Sequence, residues 1–474
     1  MVPCWSRLDG CLAPTSASRA GKHRSHRRGE SPTETPKNAA DARQATRAQR
    51  LALATCLAPQ RLALPATPGF VNEDPPGEAH RDSRRITISS CSSTAQRCTA
   101  FSGCLAPTKS LAARADWLRK SARATVQLTI LRNQNRGATV LRPISSNITY
   151  ITHESKILKD NPLGDPHIRR FPVYLPPGYE ESPDKRYPVI FGLAGFTGGG
   201  IMFLNRRFLT PGIDTDLDDL IDGGMPGVIY VFPDCITSLG GSQYVNSGAV
   251  GRYQDYIVQE LVPLIDSRYR TSGLRGCIGG SSGGIGSFTL AALYPDVFQA
   301  FADHSGDSAF DRCYLNDVPK VVQAMAKWDH DVAKFVRAIP DIQPRDEDFN
   351  VVLNMVAMSA CYAPNPDAPM GFELPFDVRT GKLFPEIWAK FLPHDPVNMV
   401  ERYADNLRRL RYRFVDCGTK DQFHLYLGSR QLHDRLEAHN IDHVYEEYDS
   451  DHFLLRRQQE LKTIPAMVAA LQEE

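Results

Sequence analysis

The stretch that decides the fold is Arg275-Gly-Cys-Ile-Gly-Gly-Ser-Ser-Gly-Gly-Ile-Gly286. A short apolar run enters a cluster of glycines around two serines, and an alanine-rich helical pattern over 287–293 follows directly. This order of strand, turn and helix is typical of a nucleophile elbow, in which a serine occupies a strained turn flanked by glycines. A Gly/Ser-rich surface loop or a phosphate-binding turn is the alternative interpretation, because glycine clusters alone are weak evidence.

Two frames of the motif G-x-S-x-G fit this stretch. Residues 279–283 make Ser281 the nucleophile, whereas residues 280–284 make it Ser282. The motif by itself does not choose between them.

The charge is unevenly distributed along the 474 residues. Residues 1–125 contain 20 Lys and Arg and 9 Asp and Glu, which gives a net charge of +11. The remaining residues contain 35 Lys and Arg and 45 Asp and Glu, which gives a net charge of −10. The first segment has little apolar surface to offset the entropy of ordering. We therefore predict a disordered, low-complexity basic extension over 1–125 and a catalytic domain over 126–474.

The extension repeats the tetrapeptide Cys-Leu-Ala-Pro, which begins at Cys11, Cys56 and Cys104. No shared period connects the copies, which favours a duplicated low-complexity stretch over a solenoid. An organelle transit peptide, an over-extended gene model and a nucleic-acid-binding arm are further interpretations. The arm is disfavoured because aromatic residues do not alternate with the basic ones.

Hydropathy and cysteine spacing narrow the class of protein. No apolar run reaches the 18 or so residues of a membrane span, and no secretory signal follows Met1. The 11 cysteines lack the C-x₂-C spacing of a metal site. Isolated thiols favour a reducing compartment, and therefore a cytoplasmic location. We predict no metal and no organic cofactor, and the sequence indicates no oligomeric state.

Strands alternate with helices from residue 126 onward, which predicts an α/β fold with a mainly parallel central sheet and helices on both faces. The predicted strands are Val126–Leu131, Ile148–Thr152, a strand that begins at Arg170 and stops at the Pro-Pro-Gly turn before Tyr179, Arg186–Leu193, Gly227–Pro233, the run before Gly279, Val297–Ala302, Tyr412–Cys417 and His443–Tyr448; the segment Gly418–Phe423 follows the strand Tyr412–Cys417. The predicted helices are Tyr253–Asp266, Ser287–Leu293, Leu425–His439 and Arg456–Leu471.

Residues 307–395 interrupt this alternation. Short helical patterns over Val318–Trp328, Val332–Ile339 and Phe349–Ala360 predict a helical insertion. A cap over the active-site pocket and extra helices packed on the surface are the two interpretations.

A serine nucleophile needs a base to accept its proton and a carboxylate to orient that base. In open α/β sheets such groups lie in loops after the carboxyl ends of later strands. Asp416 and Asp421 follow one predicted strand and His452 follows the next, in the order Ser, Asp, His of α/β-hydrolases. His304 and His394 are the competing histidines, but both precede the candidate acids.

Five motifs carry a family resemblance: Val173–Tyr179, Gly251–Ile257, Gly279–Gly284, Tyr294–Phe298 and Asp416–Phe423. With them, residues from about 165 to 470 resemble the esterase D and S-formylglutathione hydrolase group of α/β-hydrolases. This group includes enterochelin esterases, feruloyl esterases and mycolyltransferases. The resemblance implies an α/β-hydrolase fold.

The resemblance also implies roles for individual residues. The family's elbow, G-x-S-M-G-G, makes Ser281 the nucleophile and puts Ser282 in the place of Met. Its D-x-G-x-x-D-x-F motif makes Asp421 the acid rather than Asp416. The histidine is then His452.

Two departures from the family pattern accompany these roles. Ser450-Asp451 stands where a glycine pair often precedes the histidine, and Ala194-Gly195 stands where the family has His-Gly or Asp-Gly. The backbone N–H groups of Phe196 and Ser282 are implied as the oxyanion donors.

The sequence thus predicts a serine hydrolase that cleaves carboxylic esters or thioesters of small molecules through a Ser-His-Asp triad and an acyl-enzyme. An acyltransferase with the same triad is one alternative. A catalytically inactive hydrolase fold that serves as an interaction module is another.

Overall fold

The computed structural model describes residues 144–206, 211–342 and 347–472. The predicted extension over 1–125, the boundary between 125 and 126 and the predicted strand over 126–131 lie outside these residues.

A single large sheet organises the described residues. Its strands are β1 (Ile148–Glu154), β2 (Ile168–Tyr174), β3 (Tyr187–Leu193), β4 (Ile229–Val231), β7 (Thr271–Gly280), β8 (Ala300–His304), β9 (Tyr412–Gly418) and β10 (Val444–Tyr448), while β5 (Asn246–Ser247) and β6 (Gly251–Arg252) form a separate ribbon. In the described chain the eight strands follow the order β1-β2-β4-β3-β7-β8-β9-β10. β2 pairs antiparallel with β1 and β4. The neighbouring strands in the order β4-β3-β7-β8-β9-β10 all pair parallel.

The helices are α1 (Ile213–Asp222), α2 (the consecutive segments Tyr253–Asp255, Tyr256–Leu261 and Val262–Arg268, of which the middle one is a π-helix), α3 (Ser282–Leu293), α4 (Phe310–Cys313), α5 (Val318–Met325), α6 (Val332–Ala338), α7 (Glu347–Tyr362), α8 (Pro385–Phe391), α9 (Pro396–Arg409), α10 (Leu425–Ala438) and α11 (Arg456–Ala470). The predicted α/β fold with a mainly parallel sheet is confirmed.

Helices cover both faces of the sheet because its central strands are apolar on both sides. All seven residues of β3 are buried, as expected of a strand inside a parallel sheet. One apolar cluster joins a face of the sheet to α2, α3, α7, α9 and α10. A second joins the opposite face to α1 and α11.

Helices occupy much of the predicted insertion over 307–395. Helices α5, α6 and α7 form where the sequence predicts them, and the 3₁₀ turn Ala326–Trp328 extends α5. Helix α8 was not predicted within this segment, nor was α9 directly after it. Both begin with proline at the first helical position, where its missing N–H is not needed.

The predicted strand Val297–Ala302 was wrong in its bounds. The residues 297–299 precede β8, because the N–H groups of Val297 and Phe298 turn back to the carbonyl of Tyr294. Beyond Gly418, the N–H of Asp421 bonds to the Gly418 carbonyl, so the segment 419–423 that carries Asp421 is a turn.

The order of the strands positions the candidate site. After β3 the chain adds β4 on one side of that strand and later adds β7 on its other side. Loops that follow the carboxyl ends of strands diverge at such a switch point and leave a crevice between them. The loop after β3 and the turn after β7 therefore meet there.

Candidate active site

Ser281 occupies the turn between β7 and α3. Its backbone angles are φ 58° and ψ −126°, a conformation that residues other than glycine rarely adopt. Its N–H donates to the carbonyl of His304 at 2.9 Å, and its own carbonyl accepts the N–H groups of Gly284 and Ile285 at 2.8 and 3.1 Å. Surrounding hydrogen bonds thus hold the strained serine in place.

Two glycines of the elbow are required by the close approach of β3. A Cβ on Gly279 would lie 2.5 Å from the carbonyl oxygen of Leu193, and a Cβ on Gly283 would overlap the same carbonyl group. Ser282, by contrast, is the first residue of α3 and is only 4% exposed. Of the two serines, Ser281 has the backbone geometry of the elbow.

The structure brings Asp421 and His452 together. The imidazole Nδ1 lies 2.6 Å from Asp421 Oδ2, and both side chains are buried. Asp421 Oδ1 also accepts the N–H of Phe423 at 2.8 Å, so both carboxylate oxygens have partners. The contact arises because β9 and β10 are adjacent and parallel, which places the loops after them side by side.

Two aromatic rings fix the plane of the His452 imidazole. The rings of Phe423 and Phe453 meet it edge to face, with centroids 5.0 and 4.8 Å away. The backbone N–H of His452 donates to Gln422 Oε1 at 3.2 Å. Since Nδ1 is held by Asp421, Nε2 is the nitrogen free to act as a base. The Ser281 hydroxyl makes no hydrogen bond to another described residue, so its contact with His452 stays a prediction.

Asp416, the other candidate acid, pairs with a different histidine. Its Oδ2 lies 3.0 Å from Nδ1 of His304, and both side chains are fully buried. Burial raises the pKa of Asp416. Burial alone would lower the pKa of His304, but the Asp416 carboxylate outweighs it and holds this pKa above its ordinary value. The two candidate acids therefore belong to two separate histidine–carboxylate pairs.

His394, the remaining competitor, lies in the predicted insertion. Its ring centroid is 5.0 Å from that of Tyr362. Burial, assisted by the charge of Arg402, lowers the pKa of His394 to about 4.

The loop after β3 carries the first predicted oxyanion donor. A Cβ on Gly195 would lie 3.5 Å from Ser281 Cβ, so this loop touches the elbow. The Tyr244 hydroxyl donates to the Ala194 carbonyl at 2.6 Å, and the Thr197 N–H donates to Gly240 at 3.0 Å. In the described part of the chain, the N–H groups of Phe196 and Ser282 donate to no protein acceptor.

Backbone strain is concentrated in the loops that meet here. Seven residues other than glycine have φ between 50° and 64° in these loops: Thr197, Gln243, Tyr244, Ser281, Ser305, Ala309 and His424. Such conformations persist only where the surrounding structure imposes them, and they cluster at active sites.

A buried polar group in the loop after β8 was missed by the sequence analysis. Asp307 Oδ2 accepts the hydroxyl of Tyr314 at 2.7 Å and Nε2 of Gln243 at 3.3 Å. Burial raises the pKa of Asp307. Its position three residues after a strand end was the available signal, but its partner Gln243 is 64 residues away in the chain.

Other kinds of site find no support among the described residues. No group of three or more His, Cys, Asp and Glu side chains in this part of the chain is arranged to hold a metal ion. None of its helices is long and apolar enough to cross a membrane. A cavity of about 550 Å³ beside α6 is lined by residues from Asp331 to Ile387, and it includes none of the predicted site residues.

Comparison with known proteins decides the family. The family model described as "Putative esterase" matches residues 166–464, which is more than half of the chain. The chain belongs to this esterase family. The predicted resemblance is thereby confirmed, and the protein is an esterase. No curated protein sequence matches it.

Several solved structures resemble this esterase. A ferulic acid esterase is 18% identical, with 69% of this chain and 98% of that chain covered and a TM-score of 0.44. An S-formylglutathione hydrolase from Agrobacterium tumefaciens is 17% identical, with 70% of this chain and 99% of that chain covered and a TM-score of 0.41. MPT51 of Mycobacterium tuberculosis is 14% identical, with 69% of this chain and 100% of that chain covered and a TM-score of 0.43.

Proposed function

We propose that this esterase hydrolyses carboxylic esters or thioesters of small molecules through Ser281, His452 and Asp421. The observation that carries the proposal is the 2.6 Å contact between His452 and Asp421, at the same end of the sheet as the strained elbow of Ser281. A carboxylate on Nδ1 selects the tautomer whose Nε2 can accept a proton.

The reaction begins at the Ser281 hydroxyl. Oγ attacks the carbonyl carbon of the ester while His452 Nε2 accepts the hydroxyl proton, and Asp421 stabilises the imidazolium. The carbonyl oxygen becomes an oxyanion that receives hydrogen bonds from the N–H groups of Phe196 and Ser282. These two amides suit this role because neither has another acceptor within the described chain.

The oxyanion then collapses and breaks the bond to the leaving group. His452 gives its proton to the departing alkoxide or thiolate, and the acyl group stays on Ser281 Oγ. A water molecule next attacks the acyl carbon while His452 accepts its proton. The acid is released as Ser281 Oγ takes the proton back, so the enzyme returns to its starting state.

We also propose that the helical insertion over 307–395 caps this site. Its last residue, Asp395, accepts the N–H groups of Ala309 and Phe310 at 3.0 and 2.8 Å, which ties its end to its beginning. Asp307, the first residue of the insertion, accepts a hydrogen bond from Nε2 of Gln243 at 3.3 Å, which connects the insertion to the loop after β4.

Covalent labelling tests the nucleophile. A fluorophosphonate should modify Ser281, as read by mass spectrometry of proteolytic peptides, and should block hydrolysis of p-nitrophenyl butyrate. The S281A variant should take up no label. Modification of a different residue would contradict the assignment.

Product analysis separates hydrolysis from acyl transfer. With p-nitrophenyl butyrate in the presence of glycerol, a hydrolase releases mainly butyrate. An acyltransferase with the same three residues would form a glyceryl ester instead. Absence of both products across a range of esters would favour the inactive interaction module.

A further inference from the structure

Arg456 directs its side chain to the backbone of the elbow. It is the first residue of α11 and follows His452 by four residues. A Cβ on Gly280 would lie 3.0 Å from Arg456 Nε and 3.2 Å from Nη1. The guanidinium group therefore lies directly beside the residue that precedes Ser281.

The same guanidinium also reaches the loop after β3. A Cβ on Gly195 would lie 3.8 Å from Arg456 Nη1 and 3.5 Å from Ser281 Cβ. The Cβ position on Gly195 lies within 3.5 Å of Ser281 Cβ and within 3.8 Å of Arg456 Nη1. The distance between Nη1 and Ser281 Cβ is therefore at most 7.3 Å. A positive charge thus stands at the edge of the candidate site, next to the predicted oxyanion donors.

The guanidinium has few protein partners. Within the described residues its ion pair is with Glu460, at a long Nε to Oε1 distance of 3.9 Å. The ring of Phe453 lies 6.0 Å from Arg456 Cζ, at the outer limit of a cation–π contact. The side chain is only 22% exposed, and no hydrogen bond joins its guanidinium to another described residue. Most of its five N–H donors are therefore available to a bound molecule.

Packing explains only part of this arrangement. The methylene groups of Arg456 cover Gly280, and an apolar side chain of similar length would cover it as well. Among the described residues, no Arg456 nitrogen is both buried and without a hydrogen-bond partner, so its N–H groups reach solvent. A guanidinium group that reaches solvent beside Ser281, with no hydrogen bond to the protein, can donate to a bound anion.

We propose that Arg456 is a specificity-determining residue that binds an anionic group, such as a carboxylate, on the ester substrate. This inference rests on the proposed function, since it names the substrate class of the same site. The planar guanidinium suits a carboxylate because two N–H groups can bond to its two oxygens in parallel. Its distance from Ser281 allows the anion to lie a few bonds from the scissile carbonyl.

Two pairs of probe esters test the proposal, one for each side of the scissile bond. Mono-p-nitrophenyl glutarate carries a carboxylate on the acyl group, and p-nitrophenyl 5-methylhexanoate replaces that carboxylate with an isopropyl group of similar shape. 4-Acetoxybenzoate carries the carboxylate on the leaving group, and 4-isopropylphenyl acetate is its neutral counterpart. In at least one of the two pairs, the wild-type enzyme should show a higher kcat/KM for the anionic ester than for its neutral counterpart.

The variants then separate charge from packing. R456M keeps the apolar stem without the charge, and it should lower the ratio of anionic to neutral kcat/KM at least tenfold, mainly through KM. R456K keeps the charge without the planar fork and should retain part of the preference. R435Q removes one positive charge from the exposed face of α10 and should leave the ratio unchanged.

The outcomes are distinct. An equal loss on both members of each pair in R456M, with no change in their ratio, would show that Arg456 only positions the elbow and would overturn the inference. A wild-type enzyme that prefers neither anionic probe would also overturn it. In contrast, failure of the wild-type enzyme to hydrolyse any of the four esters would count against the proposed function.

Discussion

The N–H of Ser281 donates a 2.9 Å hydrogen bond to the carbonyl oxygen of His304, whose imidazole contacts Asp416. The elbow is thereby anchored to β8, and β8 is anchored to β9 by the buried contact between His304 and Asp416. This histidine–carboxylate pair supports the backbone around Ser281, whereas the pair of His452 and Asp421 is the one proposed to act in catalysis. Substitutions in the two pairs should therefore have different effects.

The first prediction concerns the two serines. S281A should lower kcat for ester hydrolysis by a factor on the order of 10³–10⁶, because it removes the nucleophile. S282A should retain most of the activity, since residue 282 contributes its N–H. Steady-state kinetics with p-nitrophenyl butyrate measures both. If the two variants exchanged phenotypes, the nucleophile would be Ser282.

The second prediction concerns the two acids. D421N should lower kcat by about 10⁴, because His452 loses the partner that orients it. D416N should change kcat little but lower the free energy of unfolding by about 3–5 kcal/mol, since it leaves His304 buried beside a neutral partner. Kinetics and urea unfolding of both variants provide the comparison. Comparable losses of kcat in both would mean that neither acid alone orients the base.

The third prediction concerns a glycine of the elbow. G283A should lower the free energy of unfolding by about 1–3 kcal/mol, because its Cβ would overlap the carbonyl group of Leu193 and force β3 away from α3. Chemical denaturation measures the change.

G248A is the matched control for this prediction. Gly248 is exposed, and a Cβ there would have 3.7 Å to the nearest heavy atom, on Pro364. The free energy of unfolding of G248A should stay close to that of the wild-type protein. Equal stability of G283A and G248A would contradict the predicted overlap.

The fourth prediction concerns pH. Burial raises the pKa of Asp303 to about 7, so the folded protein holds this proton to a higher pH than the unfolded chain, where the pKa is about 3.9. The resulting stabilisation is present below about pH 4 and is lost as the pH rises towards 7. D303N should remove this contribution, which has a slope of up to about 1.4 kcal/mol per pH unit.

Urea unfolding at pH 5, 6 and 7 measures this dependence. Between these values, the free energy of unfolding of the wild-type protein should fall more steeply with rising pH than that of D303N. Parallel curves would show that Asp303 titrates alike in the folded and unfolded states.

The fifth prediction concerns residues 1–125. A chain that begins at residue 126 should keep the melting temperature and the esterase rate of the full chain, because the removed segment has little apolar surface to bury. Calorimetry and kinetics on the two chains test this. A cooperative loss of folding on truncation would contradict the prediction.

Intact-mass measurement of the protein from its native source addresses the origin of this segment. A mass that includes residues 1–125 excludes an over-extended gene model and a cleaved transit peptide. Salt-sensitive binding to nucleic acid by the full chain, but not by the shortened one, would favour the basic arm.

Local patterns were sufficient to predict the architecture. Buried apolar runs such as residues 187–193 become strands because a central strand of a parallel sheet must be apolar on both faces. The glycine cluster around Ser281 predicted the elbow because only glycine tolerates such close approach of another strand. The order of Ser281, Asp421 and His452 along the chain came from the same kind of local information, combined with the family resemblance.

The tertiary structure separates by geometry the residues that the sequence distinguished only through the family resemblance. Ser281 and Ser282 are adjacent, but only Ser281 has the positive φ of the elbow, which the packing of β3, β7 and α3 imposes. Asp416 lies inside β9 and contacts His304 of the adjacent strand β8, whereas Asp421 lies in the turn after β9 and contacts His452 in the loop after β10.

The contacts of Arg456 and Asp307 also depended on the fold. Arg456 meets Gly195 and Gly280 from positions far away in the chain, and Asp307 meets Gln243, which is 64 residues away. No local pattern encodes such meetings. They depend on the strand order and on the paths of the loops, which are set by the burial of the whole core and not by the residues that finally touch.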